Sequence, residues 1–357
     1  MIVKTLSASA LVLAMAVPVL AQVPLSVTPI ATLQQPWAMV ALPQGGFLVT
    51  QKAGQVVHLT ASGEARNVAG VPEVLDDGQT GLHDVALPPD FDRSGLVYLT
   101  WIAGDNGGAL HLGRGRVDLS SKAPRFEDFE VLWQATPQGG AGHPGGIIAF
   151  SDDGHLFLTS GDRQLGDPAQ DLADSRGKIL RFAPDGRAAP GNPFPAAPEI
   201  WSLGHRNPYG LTFDDTGALW SHEMGPSGGD ELNLIAPGQN YGWPEVSEGR
   251  QYSGLPIAKH ATRPEFTAPA LTWTPVIAAS GMTFYEGAAF PEWQGSLLIG
   301  GLRAQALVRV STEGSTAQET ERWEFENRIR DVAIDAAGAV YLLEDAEAGR
   351  LLRLDRQ

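Results

Sequence analysis

Six times along the chain, a glycine opens a short run of β-branched, aromatic and other apolar residues. The copies begin at Gly46-Phe47-Leu48-Val49-Thr50, Gly95-Leu96-Val97-Tyr98, Gly154-His155-Leu156-Phe157, Gly217-Ala218-Leu219-Trp220, Gly295-Ser296-Leu297-Leu298 and Gly338-Ala339-Val340-Tyr341. In four copies a second run of the same kind follows: Gly54–Leu59, Gly177–Phe182, Ala306–Val310 and Gly349–Leu354. Short runs with period-two patterning, separated by glycine turns, are strand pairs. Each interval has room for one four-stranded sheet. A single small sheet cannot bury both faces, so six in tandem predict an all-β, six-bladed β-propeller over residues 22–357. Two stacked β-sandwiches would use the same strands, but the spacing of the copies favours the propeller. The interval from Gly217 to Gly295 is the longest, which predicts long loops or an insertion there.

Composition excludes several classes. Of the 357 residues, 43% are hydrophobic and 18% charged, which suits a large buried core rather than a disordered chain. Lys and Arg total 25 against 41 Asp and Glu, a formal charge of -16. Such a surface repels phosphate backbones, so no nucleic-acid partner is expected. The absence of cysteine removes disulfides, cysteine-ligated metals and thiol nucleophiles together. Met1–Ala21 carries one cation, Lys4, then an apolar run to Leu20 and the small-residue pattern Val19-Leu20-Ala21. This is the form of a secretory signal peptide, so a periplasmic or secreted protein beginning near Gln22 is expected. The apolar run is too short for a membrane span and Pro18 interrupts it, so no stable membrane insertion is expected.

Chemistry-bearing residues concentrate in three places. Gly225-Pro226-Ser227-Gly228-Gly229-Asp230-Glu231 cannot be regular strand, and it offers free carbonyls beside two carboxylates. That donor set suits Ca²⁺; an ordinary turn with solvated acids is the alternative. Arg206, Arg303 and the pair Arg328/Arg330 lie near strand ends, and the pair shares a face by strand alternation. In so acidic a chain they point to an anionic ligand, or else to pairing with Asp331, Glu324 or Glu326. His143 sits in Gly139-Gly140-Ala141-Gly142-His143-Pro144-Gly145-Gly146, before a strand, where it can serve as a general base or simply fill a loop. His83, His155, His205 and His222 compete for that role, though His155 lies in an Asp-Gly turn. No zinc-binding His-Glu-x-x-His occurs.

Several segments in order resemble one family: Leu33–Met39, Gly78–Leu82, the His143 loop, Gly204–Pro208, Gly225-Pro226 with Asp230–Asn233, Asn240–Pro244 and Arg328–Asp331. They are similar to the soluble quinoprotein glucose/sorbosone dehydrogenases, most closely the aldose sugar dehydrogenase branch. The resemblance spans nearly the whole mature chain. It implies a six-bladed propeller that binds pyrroloquinoline quinone (PQQ) and Ca²⁺ and oxidises an aldose sugar to a lactone, passing electrons to an acceptor the chain does not identify. It implies that Gln79, Arg206, Asn207, Arg328 and Arg330 hold the quinone tricarboxylate, with Tyr252 a further contact. Arg303 falls where the family often has Lys. The carbonyls of Gly225 and Pro226 match ligands of the Ca²⁺ that touches the cofactor, Glu231 and the Tyr241 carbonyl match ligands of a structural Ca²⁺, and His143 matches the catalytic base. Pro144 and Ile147 depart from the family pattern beside that base, so the resemblance does not carry over a sugar preference or a catalytic strength. A Ca²⁺-dependent propeller lactonase or esterase, and a non-catalytic ligand-binding propeller, are the competing readings.

Overall fold

Six four-stranded antiparallel sheets close into a ring in the computed structural model, which describes residues 22–357. The leader expected over Met1–Ala21 lies outside the described residues. Blades 1 to 5 are built of consecutive strands, and their innermost strands are Pro36–Ala41, Leu82–Ala86, Gly145–Phe150, Pro208–Phe213 and Ala279–Tyr285. Blade 6 has Ile329–Ile334 innermost, then Val340–Glu344 and Ala348–Arg356; its outer strand is Leu25–Gln34, from the start of the described chain. This N-terminal strand pairs antiparallel with Ala348–Arg356, from Leu25↔Arg356 to Gln34↔Ala348, and so closes the ring. Each innermost strand contacts the innermost strands of both neighbouring blades.

The glycine-led runs are the second strands of the blades, and their apolar patterning has a different cause from the one the sequence suggests. They do not alternate apolar with polar. They are apolar on both faces, because each sheet is covered on both sides. Leu48 enters the core between blades 1 and 2, whereas Phe47 and Val49 enter the core between blades 6 and 1. Likewise Leu156 and Leu158 face blade 2 while Phe157 faces blade 4. Trp220 faces blade 5 while Leu219 faces blade 3. Leu298 faces blade 6 while Leu297 and Ile299 face blade 4. Strand period two therefore sorts neighbouring residues between two interfaces rather than between core and solvent. Each such side chain contributes roughly 1.5–3 kcal/mol by burial.

Among the described residues helix is confined to one turn, Phe91–Ser94, and three short 3-10 segments. Among the described residues no helix is long and apolar enough to cross a membrane. The long Gly217–Gly295 interval is explained by residues 236–270, which join Asp230–Ile235 to Leu271–Trp273 within blade 4. Two half-buried acids tie inner strands across blades: Asp84 Oδ2 accepts the Ile148 amide at 2.7 Å, and Asp331 Oδ2 accepts the Met39 amide at 2.8 Å. Burial pushes the Asp84 carboxyl up to about 7; burial and then the Asp84 charge push Asp331 up to about 8.

Candidate active site

The loops at one end of the ring axis enclose a cleft of about 450 Å³, lined by Trp37, Lys52, Gln79, Asn207, Arg328 and Arg330 among others. Its residues come from the start of the blade 1 inner strand, the loop after blade 1, the blade 3–4 junction and the edge of blade 6. Trp37 forms part of the cleft and also of the axial channel behind it, as do Tyr209 and Arg330. The Arg330 guanidinium lies over the Trp37 ring at 4.2 Å, and His83 stacks on Trp37 at 4.8 Å.

The arginine pair shares a face as expected, but its partner is none of the three acids that neighbour it in sequence. Asp345, seventeen residues from Arg328, accepts Arg328 Nε at 2.5 Å and Arg330 Nη2 at 2.7 Å. It stands just beyond the strand antiparallel to the one that carries Arg330, where sequence distance hides it. Burial opposes ionisation of Asp345, but the Arg330 charge, followed by Arg328, outweighs it and holds the carboxyl below its usual range. Arg328, Arg330 and Lys52 face this cleft against Asp345 and Glu347, and Lys52 is paired with Asp76, so two guanidiniums rather than a large net charge are what the cleft offers an anion. Asn207 Oδ1 and Tyr209 Oη are buried with no protein partner. Orphaned polar atoms beside two guanidiniums fit a planar, polar, anionic ligand such as PQQ. Arg303 is exposed on the hairpin whose Leu302 lines the cleft, and the structure does not bring it to the other arginines. Tyr252 is 77% exposed, yet its hydroxyl accepts Arg206 Nη2 at 3.0 Å.

His143 meets this cleft through Gln79. The Gln79 side-chain oxygen accepts the His143 amide at 2.9 Å. The imidazole Nδ1 lies 2.7 Å from Asp162 Oδ1, and Trp243 Nε1 donates to Asp162 Oδ2 at 2.8 Å. Asp162 also accepts the amides of Gln164 and Gly166. These bonds, that of His143 foremost, overcome burial and hold the Asp162 carboxyl below its usual range. A charged Asp162 fixes the proton on Nδ1 and leaves Nε2 as the basic nitrogen. Burial lowers the His143 pKa from 6.5; Asp162 opposes this, and Arg206 and Arg163 reinforce it. The imidazole is therefore neutral at pH 7. The sequence reading missed Asp162, although an acid in Ser160-Gly161-Asp162 at a strand end was a usable signal. Of the competing histidines, His83 is fully buried against Trp37 and its pKa is lowered to about 3, first by that burial. Ile147, expected beside the base, turns instead into the axial channel with Asp84, so that departure does not touch the cleft.

The expected metal loop splits in two. Strand alternation sends Asp230 away from Glu231: Asp230 accepts the amides of Gly225 and Ala278 at 2.9 and 2.7 Å and ties the loop to blade 5. Glu231 instead stands directly opposite Glu223 in the antiparallel pair. Two like charges in register oppose each other, and burial followed by Glu223 pushes the Glu231 carboxyl well up. Glu231, Tyr241, Gly225 and Ser247 border one small cavity, and Pro226 is buried in the same loop. The donors are all oxygen, which fits a hard cation such as Ca²⁺. The Gly225 carbonyl also accepts Arg206 Nη1 at 3.2 Å, and the Tyr241 carbonyl lies 3.1 Å from His260 Nε2. No cluster of three or more His, Asp or Glu side chains occurs among the described residues. Ser202, His205 and Glu223 are connected like a hydrolase triad at 2.9 and 3.0 Å, but Ser202 and His205 are 0% exposed, so they form scaffold.

Comparison with known proteins agrees with the six-bladed fold. The family description Glucose / Sorbosone dehydrogenase matches residues 33–353. The chain is 38% identical to aldose sugar dehydrogenase YliI of Escherichia coli over 336 residues, 90% of each chain. It is 26% identical to quinoprotein glucose dehydrogenase B of Acinetobacter calcoaceticus, covering 91% of this chain and 86% of that one. Among solved structures, the apo-form of the soluble E. coli aldose sugar dehydrogenase superposes with a TM-score of 0.87 at 34% identity, over 93% of this chain and all of that one. The PQQ-bound form of aldose sugar dehydrogenase from Streptomyces coelicolor gives 0.76 at 30% identity, over 94% and 99% of the two chains. By its match over residues 33–353, its close relatives and its six-bladed propeller, the chain belongs to the glucose/sorbosone dehydrogenase family.

Proposed function

We propose that this protein is a PQQ-dependent aldose sugar dehydrogenase that oxidises the C1 hydroxyl of an aldose to a lactone. The observation that carries the reading is a cleft lined by Arg328 and Arg330 whose Gln79 binds the loop of a carboxylate-oriented, neutral histidine. Arg328, Arg330, Lys52 and Arg206 would hold the carboxylates of the cofactor, and Gln79 and Asn207 its polar edge. When bound, the quinone supplies the hydride acceptor and Ca²⁺ the positive charge that polarises it. His143 Nε2 takes the proton of the anomeric hydroxyl, and Asp162 stabilises the imidazolium that results. Trp243 holds Asp162 and lies 5.2 Å from the Arg206 guanidinium, joining the base to the cofactor cleft. A separate electron acceptor completes turnover. The secretory leader supports work in the periplasm or outside the cell.

The test is a titration of PQQ and Ca²⁺ into cofactor-free protein, followed by a sugar panel with an artificial electron acceptor. A saturable cofactor absorbance band and sugar-dependent dye reduction are expected. No band and no reduction would leave a lactonase or a binding propeller as the better reading.

The cation is tested separately by stability. Ca²⁺ at about 100 times its dissociation constant adds about 2.7 kcal/mol, which raises the thermal midpoint on the order of 5 °C. Glu231→Gln removes the opposed charge and is expected to abolish this Ca²⁺-dependent shift. An unchanged shift in that variant would place the ion elsewhere.

A further inference from the structure

We infer that Arg163 is the positioning residue that shapes the base-bearing loop and so holds His143 in place. This rests on His143 being the base. Arg163 is 3% exposed and forms no ion pair among the described residues, an arrangement that costs free energy unless the charge has a task. Its guanidinium instead binds backbone carbonyls in two loops. Nη1 donates to Gly142 at 3.0 Å, and Nη2 donates to Gly107 at 2.6 Å and to Gly140 at 3.3 Å. Gly140 and Gly142 belong to the His143 loop, whereas Gly107 lies in the hairpin of blade 2. The main chain adds two bonds, from the Arg163 amide to the His143 carbonyl at 3.3 Å and from the Ala141 amide to the Arg163 carbonyl at 3.2 Å.

This clamp accounts for the glycine content of the loop. A Cβ at Gly140 would lie 2.3 Å from the Arg163 Cβ, and one at Gly107 would lie 2.1 Å from the Gly140 carbonyl oxygen. The glycines let the chain close around the guanidinium. His143 and Arg163 both take left-handed backbone, with φ of 46° and 58°, a conformation that non-glycine residues hold only when surrounding contacts impose it. The residue next to Arg163 is Asp162, the partner of the imidazole, so one turn of chain supplies both the orienting carboxylate and the clamp.

The charged groups that act on His143 are Asp162, which raises its proton affinity, and Arg206 and Arg163, which lower it. Removing the Arg163 charge therefore moves the acid limb of the pH profile upward. Loosening the loop also misplaces the base, and misplacement of about 1 Å can cost on the order of 100-fold in rate.

The test uses full-length, cofactor-loaded enzyme carrying Arg163→Met, Arg163→Lys or Arg163→Ala, with His143→Ala alongside. Arg163→Met is expected to lower kcat about 10- to 100-fold, leave the KM for sugar and the PQQ affinity within about twofold, and shift the acid limb upward. Arg163→Lys keeps the charge but not the planar fork, so it should lose kcat without moving the acid limb. Free guanidinium should restore part of the turnover of Arg163→Ala. Folded Arg163→Met with native kcat and an unmoved acid limb would overturn the inference. If Arg163→Met does not fold, Arg163→Lys decides: native kcat there overturns the inference equally. Native turnover in His143→Ala would instead overturn the assignment of the base, whatever the Arg163 variants do.

Discussion

His143→Ala lowers sugar turnover by about 10²–10⁴-fold while PQQ binding stays near native. The size follows from the loss of a positioned base. The selectivity follows from the geometry, because His143 touches Gln79 and Asp162 rather than the paired arginines. Asp162→Asn should lose much of the same activity, since the amide can present the wrong atom to Nδ1 and release the tautomer. The pH profile gives the sign independently. Catalysis needs neutral imidazole, and the folded protein lowers its pKa from 6.5, with burial the largest cause. Activity is thus present above that lowered pKa and is lost as pH falls through it, so the midpoint of the acid limb of wild-type kcat/KM lies below pH 6.5. Stopped-flow reduction of the bound cofactor by sugar, measured across pH, checks both points. Near-native reduction in His143→Ala would exclude it as the base.

Arg330→Ala has the opposite signature: cofactor capture fails while the base remains in place. Arg330 has a side chain only 10% exposed, lies over Trp37 and donates twice to Asp345, at 3.1 and 2.7 Å. A charge-assisted bond in such a site is worth roughly 1.5–3 kcal/mol, so the dissociation constant for PQQ should rise about 10- to 150-fold. Arg328, half exposed, should matter less when replaced by alanine. At saturating PQQ both variants should recover most of their turnover. Fluorescence or absorbance titration of the quinone measures the constants directly. An unchanged constant in Arg330→Ala would mean that the cleft arginines are structural partners of Asp345 and nothing more.

The propeller was legible because its signal is local and repeated. Each second strand is short, apolar on both faces and opened by a turn glycine, and six copies average out the noise of any one. The closing strand was not legible, since Leu25–Gln34 pairs with Ala348–Arg356 across almost the full chain length. His143, Arg206, Arg303, Arg328, Arg330 and the Gly225–Glu231 loop stood out from residue type and context, whereas Gln79, Asn207, Tyr241 and Tyr252 came only from the family resemblance. Their partners did not stand out. Asp162 is 19 positions from His143, and Trp243 is 81 from Asp162; Gln79 is 64 from His143. The ring places such residues side by side only because successive blades bring their loops to one end of the axis.

Residue type and strand period were enough to say that blades would form, that both of their faces would be covered, and that the hairpin after Glu223 would present oxygen donors. Which oxygens face inward was a tertiary matter. Strand alternation and the neighbouring blade turn Asp230 to the Ala278 amide and leave Glu231 opposed to Glu223. The same holds for Ile147, which is adjacent to the base loop in sequence and yet faces the axial channel. Sequence adjacency decides which residues share a loop, but the direction of each side chain depends on strand pairing and on contacts made between blades, which no local pattern encodes.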